Sequence, residues 1–241
     1  MDVVIPIAAE DPAFAEAGYD CPKPLIDVNG TPMIEWATAS LDGVVDESAY
    51  IFPVLQSHVR EYAIDDRLRE IYSDDITVVS IDGMTDGAAE TVLKAREHIG
   101  EDELVVAFGD QYVETPLAES IRRTTVDGLI PVFESSSPAW SYVATDEDGI
   151  VTEAAEKEVI STHATAGIYY FRDGTDFVRG AEAMIEKDIR TNGLFYVCPV
   201  FNELLQMSRR IETVPVDRMV SLGTPSNVQE FDLRFDEVTE S

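Results

Sequence analysis

Five short apolar runs, rich in β-branched residues, punctuate the first 133 positions: Val3–Ile7, Ala49–Val54, Ile76–Ile81, Leu104–Phe108 and Gly128–Phe133. Such runs suit strands buried on both faces, and helical patterns at Met33–Leu41, Ser57–Tyr72 and Asp86–His98 lie between them. Alternating strands and helices close a core by stacking helices on both faces of a mostly parallel sheet, so a three-layer α/β/α sandwich is expected. Beyond residue 133 the pattern turns to short strands, Tyr142–Thr145, Val151–Ala155 and Ala164–Phe171, the first two joined by a hairpin-like turn at Asp146-Glu147-Asp148-Gly149. This half is expected to add a mixed β segment. Gly174–Lys187 follows as an amphipathic helix with Phe177, Ala181, Met184 and Ile185 on its core face, then a second helix at about Pro199–Met207. Ser226–Phe235 reads as a capped helix and Asp236–Ser241 as a frayed tail. The whole, 1–241, is expected to form one domain with halves at 1–133 and 134–235.

The stretch from Cys21 to Trp36 places Lys23 between Pro22 and Pro24. Proline fixes its own φ and disfavours the helical region for the residue before it, so an extended, rigid loop presenting Lys23 is expected. Asn29-Gly30 is a turn signal, and Thr31-Pro32 reads as an N-cap followed by proline in the first turn of the next helix.

Charge narrows the partners. The chain carries 47 acidic and 17 basic residues, a net charge of −30, and only four lysines. Such a balance opposes binding to nucleic acid or to an anionic membrane. The acids are spread among well-patterned apolar segments rather than gathered in a tail, which points to adaptation to high salt instead of disorder. No apolar run approaches the roughly 20 residues that span a bilayer, and no export signal is visible, so a cytoplasmic protein is expected. Cys21 and Cys198 lack metal-ligand spacing and suit a reducing compartment; His58, His98 and His163 are too scattered for zinc.

Read together, Val3–Ile7, the Pro22-Lys23-Pro24 stretch and the closing Gly223-Thr224-Pro225 resemble the sugar-phosphate nucleotidyltransferase family, close to a branch found with capsular and surface polysaccharide genes. The resemblance implies a Rossmann-like, glycosyltransferase-A-like fold with a mixed sheet. It implies a nucleotide site at Ala8, Ala9, Lys23, Gly87, Ala88 and Asp110, an acceptor site at Glu156, Lys157 and Gly167, and Mg²⁺ on Asp110. Lys23 and Asp110 would be the catalytic pair. Independently of family, Asp110 follows the apolar run Leu104–Phe108, and the carboxyl ends of parallel strands are where open α/β sheets bind ligands. Two departures stand out. The family's glycine-rich, arginine-bearing phosphate loop is replaced by Ala8-Ala9-Glu10-Asp11-Pro12-Ala13-Phe14, which sets two acids toward the expected polyphosphate. Ser221 also stands where many relatives carry a second metal aspartate. The aromatics Phe195, Tyr196 and Phe201 are expected to pack rather than to touch ligand.

Three activities fit these residues: transfer of a nucleotidyl group from an NTP to a sugar phosphate or similar small phosphate, releasing pyrophosphate; glycosyl transfer from a nucleotide sugar; or binding of such a ligand without turnover. The first would serve surface polysaccharide or glycan precursor synthesis. Oligomeric state is not readable from the pattern.

Overall fold

The computed structural model describes residues 1–44 and 49–231. Its strands are β1 (Asp2–Val4), β2 (Asp27–Val28), β3 (Thr31–Pro32), β4 (Tyr50–Leu55), β5 (Thr77–Ile81), β6 (Leu104–Ala107), β7 (Gln111–Glu114), β8 (Gly128–Glu134), β9 (Ser141–Thr145), β10 (Val151–Glu156), β11 (His163–Thr165), β12 (Ile168–Phe171), β13 (Ile211–Pro215) and β14 (Arg218–Ser221). The helices are α1 (Pro12–Glu16), α2 (Met33–Ala39), α3 (Gln56–Tyr62), α4 (Ile64–Ile71), α5 (Ala88–Leu93), α6 (Leu117–Arg123), α7 (Gly174–Glu186) and α8 (Val200–Gln206).

One ten-stranded sheet runs β10-β9-β11-β8-β12-β6-β1-β4-β5, with β13 alongside β8. The β6-β1-β4-β5 block is parallel, as expected of strands connected through helices. β12 enters antiparallel between β6 and β8 and joins the parallel half to the mixed half. Successive strand residues point to opposite faces, and the core divides accordingly. Val4, Val106, Tyr169 and Phe171 pack with Phe177 and Phe201 of α7 and α8, while Val3, Val105 and Tyr170 pack with Ile34, Leu68 and Leu117 of α2, α4 and α6. The sheet is therefore the middle of three layers. Each fully buried Val or Phe here contributes about 1.5–3 kcal/mol of transfer free energy.

Several local expectations are corrected. Thr31 does not cap α2; Thr31-Pro32 pairs with Asp27-Val28 across the Asn29-Gly30 turn, both of whose residues have positive φ. The prolines do not keep Lys23 extended, because the Leu25 amide closes onto the Pro22 carbonyl at 2.9 Å and winds Lys23–Leu25 into a single 3-10 turn. Ser57–Tyr72, expected to be helical in whole or in part, is two helices, broken where Ala63 takes the left-handed conformation with φ 50°. Ala164–Phe171 is two strands, because Gly167 with φ 67° redirects the chain from the β8–β9 side to β6. β7, β13, β14 and α6 carry no expectation from the sequence. The last helix covers 225–231, and the rest of its expected length lies outside the described residues, as does the expected tail.

Candidate active site

A cleft of about 690 Å³ opens beyond the carboxyl ends of β1 and β6, where the chain continues through Pro6-Ile7 and Phe108–Gln111. Seven of the nine residues singled out by sequence line it: Ala9, Lys23, Ala88, Asp110, Glu156, Lys157 and Gly167. The other two lie behind the wall. Ala8 is buried with Leu55 and Ile81. Gly87, with φ 128°, lies so close to the Phe195 backbone that a Cβ would collide with its carbonyl. That junction is fixed by Phe195 N–H donating to Asp86 O at 2.7 Å and Ala89 N–H to Phe195 O at 3.0 Å.

Lys23 is the best-connected cation of the cleft. Its Nζ lies 2.8 Å from Asp110 Oδ2 and 3.1 Å from Asp11 Oδ2, and donates to the Gly223 carbonyl at 3.2 Å. It also sits 5.3 Å from the Phe14 ring centroid. Burial works to lower the lysine pKa, but Asp110 and then Asp11 outweigh it, so the pKa stays above the ordinary value and the ammonium keeps its charge. Of the two acids expected to face polyphosphate, only Asp11 lines the cleft. Glu10 sends Oε2 to 3.7 Å from the buried His58 Nε2, while its backbone N–H points at Met84 Sδ. The charge conflict of this loop is thus smaller than its sequence suggests, because one acid leaves and the other is matched by Lys23.

Asp110 owes its place to β14, which pairs with β7 and brings Ser221–Gly223 against it, with the Leu222 N–H bonded to the Asp110 carbonyl at 2.8 Å. Among the described residues no three His, Cys, Asp or Glu side chains form a metal cluster. Mg²⁺ does not need one, since it takes one or two carboxylates and completes its shell with water and substrate phosphates. Asp11 and Asp110 direct hard oxygens at a single ammonium, which stands where a cation is favoured. The donor set fits Mg²⁺.

The second group of lining residues comes from the mixed half. Lys157 follows β10 with φ 57°, its N–H held by the Trp140 carbonyl at 3.0 Å and its Nζ 5.7 Å from the Tyr196 ring centroid. Ser141 Oγ donates to the Glu156 carboxylate. Burial raises the Glu156 pKa, and the Ser141 hydrogen bond and Lys157 offset this only in part. At Gly167 a Cβ would strike the Gln111 side chain, whose Nε2 donates to the Ala166 carbonyl. Sequence reading missed Trp140, Ser141, Thr165 and Tyr169, and it took Tyr196 for packing; all five line the cleft, whereas Phe195 and Phe201 are buried as expected. Ser141 pairs with Glu156 across β9 and β10, Thr165 lies on β11 and Tyr169 on β12, and no local motif marks these placements. Cys198 is buried, which pushes its thiol pKa up, and neither cysteine lines the cleft.

A nucleoside-diphosphate-sugar pyrophosphorylase from Vibrio cholerae RC9 superposes with a TM-score of 0.82 over 96% of this chain and 99% of its own, at 22% identity. The likeness is one of fold. A UDP-glucose pyrophosphorylase solved with UDP-glucose shares this fold, with a TM-score of 0.76 over 98% of both chains and 13% identity. In sequence the chain is 27% identical over 178 residues to the bifunctional protein GlmU of Methanococcus aeolicus, matching 72% of this chain and spanning 40% of that protein. No family model matches the chain. Among the described residues no helix is long and apolar enough to cross a membrane.

Proposed function

We propose that this protein transfers a nucleotidyl group from an NTP to a sugar phosphate or similar small phosphate. One observation carries the reading: a single cleft holds Lys23, bridged to Asp110 and Asp11, together with Glu156 and Lys157, so two of the four lysines of a chain of net charge −30 converge there. An acceptor phosphate oxygen attacks the α-phosphorus, the bond to the β-phosphate oxygen breaks, and pyrophosphate leaves. The acceptor is already ionised near neutral pH, so no protein nucleophile or base is required; the residues position the phosphates and balance charge. Lys23 neutralises the α-phosphate region and Lys157 binds the acceptor phosphate. Glu156 and the backbone at Gly167 orient the rest of the acceptor. Ala9 borders the nucleotide phosphates with Ala8 buried behind it, and Ala88, set by the Gly87–Phe195 junction, forms the ledge for the base. Asp110 would hold Mg²⁺, which when bound supplies further charge neutralisation on the nucleotide phosphates.

Placing the product in surface polysaccharide or glycan precursor synthesis rests on the resemblance to the polysaccharide-associated branch. Adaptation to high salt rests on the distributed acidity.

The test is product analysis with NTPs and sugar phosphates, Mg²⁺ and high KCl. Pyrophosphate release is expected, falling about 10²–10³-fold in Asp110→Asn or Lys23→Met, the usual cost of removing a group aimed at developing charge. Release of nucleoside diphosphate from a nucleotide sugar would replace this reading with glycosyl transfer. Binding of either ligand with no product would make the protein a non-catalytic relative.

A further inference from the structure

We infer that Asp11 is the second carboxylate of the divalent-cation site, and that the Lys23 ammonium holds that place while the cation is absent. The inference deepens the proposal of nucleotidyl transfer and rests on its assignment of this cleft to a polyphosphate.

Asp11 occupies the N-cap position of α1, where an aspartate ordinarily accepts a hydrogen bond from the first turn of the helix. It makes no such bond; its carboxylate turns instead to Lys23 Nζ. Asp110 reaches the same nitrogen from the β6–β7 junction, and the Gly223 carbonyl reaches it from the segment after β14. Three elements far apart in sequence thus direct three oxygens at one cation. Oxygen donors of this kind, two of them carboxylate, are the preference of a hard divalent ion as well as of an ammonium group. A lysine already clamped by two carboxylates cannot also bind a phosphate at full strength. Uptake of a divalent ion by Asp11 and Asp110 frees Lys23 for the nucleotide and turns the net charge of this small cluster from −1 to +1.

The test is titration of the full chain with Mn²⁺ alone, followed by the paramagnetic resonance of free Mn²⁺ in a fixed high concentration of KCl that suppresses diffuse binding to the acidic surface. The wild type is expected to show one saturable site. Asp11→Asn and Asp110→Asn should each weaken it about tenfold or more, and Lys23→Met, which removes the competing ammonium, should tighten it several-fold. Asp66→Asn, exposed in the first turn of α4 and away from the cleft, should leave it unchanged. Far-ultraviolet circular dichroism and thermal melts confirm that each variant is folded, and should Lys23→Met not fold, Lys23→Gln serves in its place. Unchanged affinity in Asp11→Asn overturns the inference. So does unchanged or weaker affinity when the lysine is replaced, or the absence of a saturable site in both wild type and the lysine variant. The functional proposal fails separately: the Mn²⁺ results can hold while no pyrophosphate is released, and pyrophosphate can be released while Asp11→Asn binds Mn²⁺ normally.

Discussion

Glu156 sits in the cleft beside Lys157, yet burial lifts its pKa above the usual carboxylate value of 4.5. Below that value both folded and unfolded chains hold the proton, and the stability that goes with the protonated residue is fully present. Between it and the raised folded value the unfolded chain ionises first, so the stability contributed by Glu156 is lost as pH rises through this window. A glutamine keeps the oxygen that accepts from Ser141 and cannot ionise. Glu156→Gln should therefore match the wild type at pH 4 and become progressively more stable than it toward neutrality in urea melts. A constant difference across pH would show that Glu156 ionises freely in the folded state. The cleft thus spends stability to keep a carboxylate at the expected acceptor end.

At the scale of elements, the break between α3 and α4 is the clearest case of backbone conformation chosen against residue preference. Ala63 ends α3 with φ 50° and ψ 43°, where a Cβ is strained and glycine is not. Ala63→Gly should gain about 0.5–1 kcal/mol, seen as a higher urea midpoint at unchanged slope. A loss would mean that Ala63 is held there by packing strong enough to outweigh the strain. Nothing in Tyr62-Ala63-Ile64 announces the break, which is why sequence does not place it. The same distinction sorts the remaining readings. β1, β4, β5, β6 and β8 were legible because each is a compact apolar run with a flanking turn or helix signal. The helix α7 was legible because its core face repeats at helical spacing. β7 and β14 were not, since Gln111–Glu114 and Arg218–Ser221 are short, mixed in polarity and stable only as each other's partner. In the cleft, Lys23 stands out between two prolines and Asp110 at the end of an apolar run, whereas Glu156, Lys157 and Gly167 were marked by the family resemblance. Trp140, Ser141, Thr165 and Tyr169 could not be picked out, because only the antiparallel return of the mixed half turns them inward.

For the whole molecule, the net charge of −30 makes compactness a matter of screening. Exposed ion pairs such as Arg67–Glu70, Arg96–Glu182 and Arg123–Glu119 are worth at most about 1 kcal/mol each, too little to offset repulsion of this size. The Debye length shrinks from about 10 Å at 0.1 M salt to about 3 Å at 1 M, so exposed carboxylates cease to feel one another. Raising KCl from 0.1 to 2 M should raise the thermal midpoint by several degrees, where each 1 kcal/mol corresponds to about 2–4 °C for a chain of this length. A flat or falling midpoint would show that the acidic surface costs the folded state little.

The hydrogen bond from Lys23 to Gly223 joins residues 200 positions apart, and Asp110 is secured only once β14 has paired with β7. On a ribosome adding about 5–20 residues per second, the Asp110 loop emerges roughly 5–20 s before the segment that completes it. Through that interval the parallel strands can assemble, but the cleft has no finished floor. A nascent chain therefore lacks the finished cleft while it is still being made, and a fragment that stops before residue 218 keeps much of the sheet but loses both the β14 pairing beside Asp110 and the Gly223 carbonyl that holds Lys23.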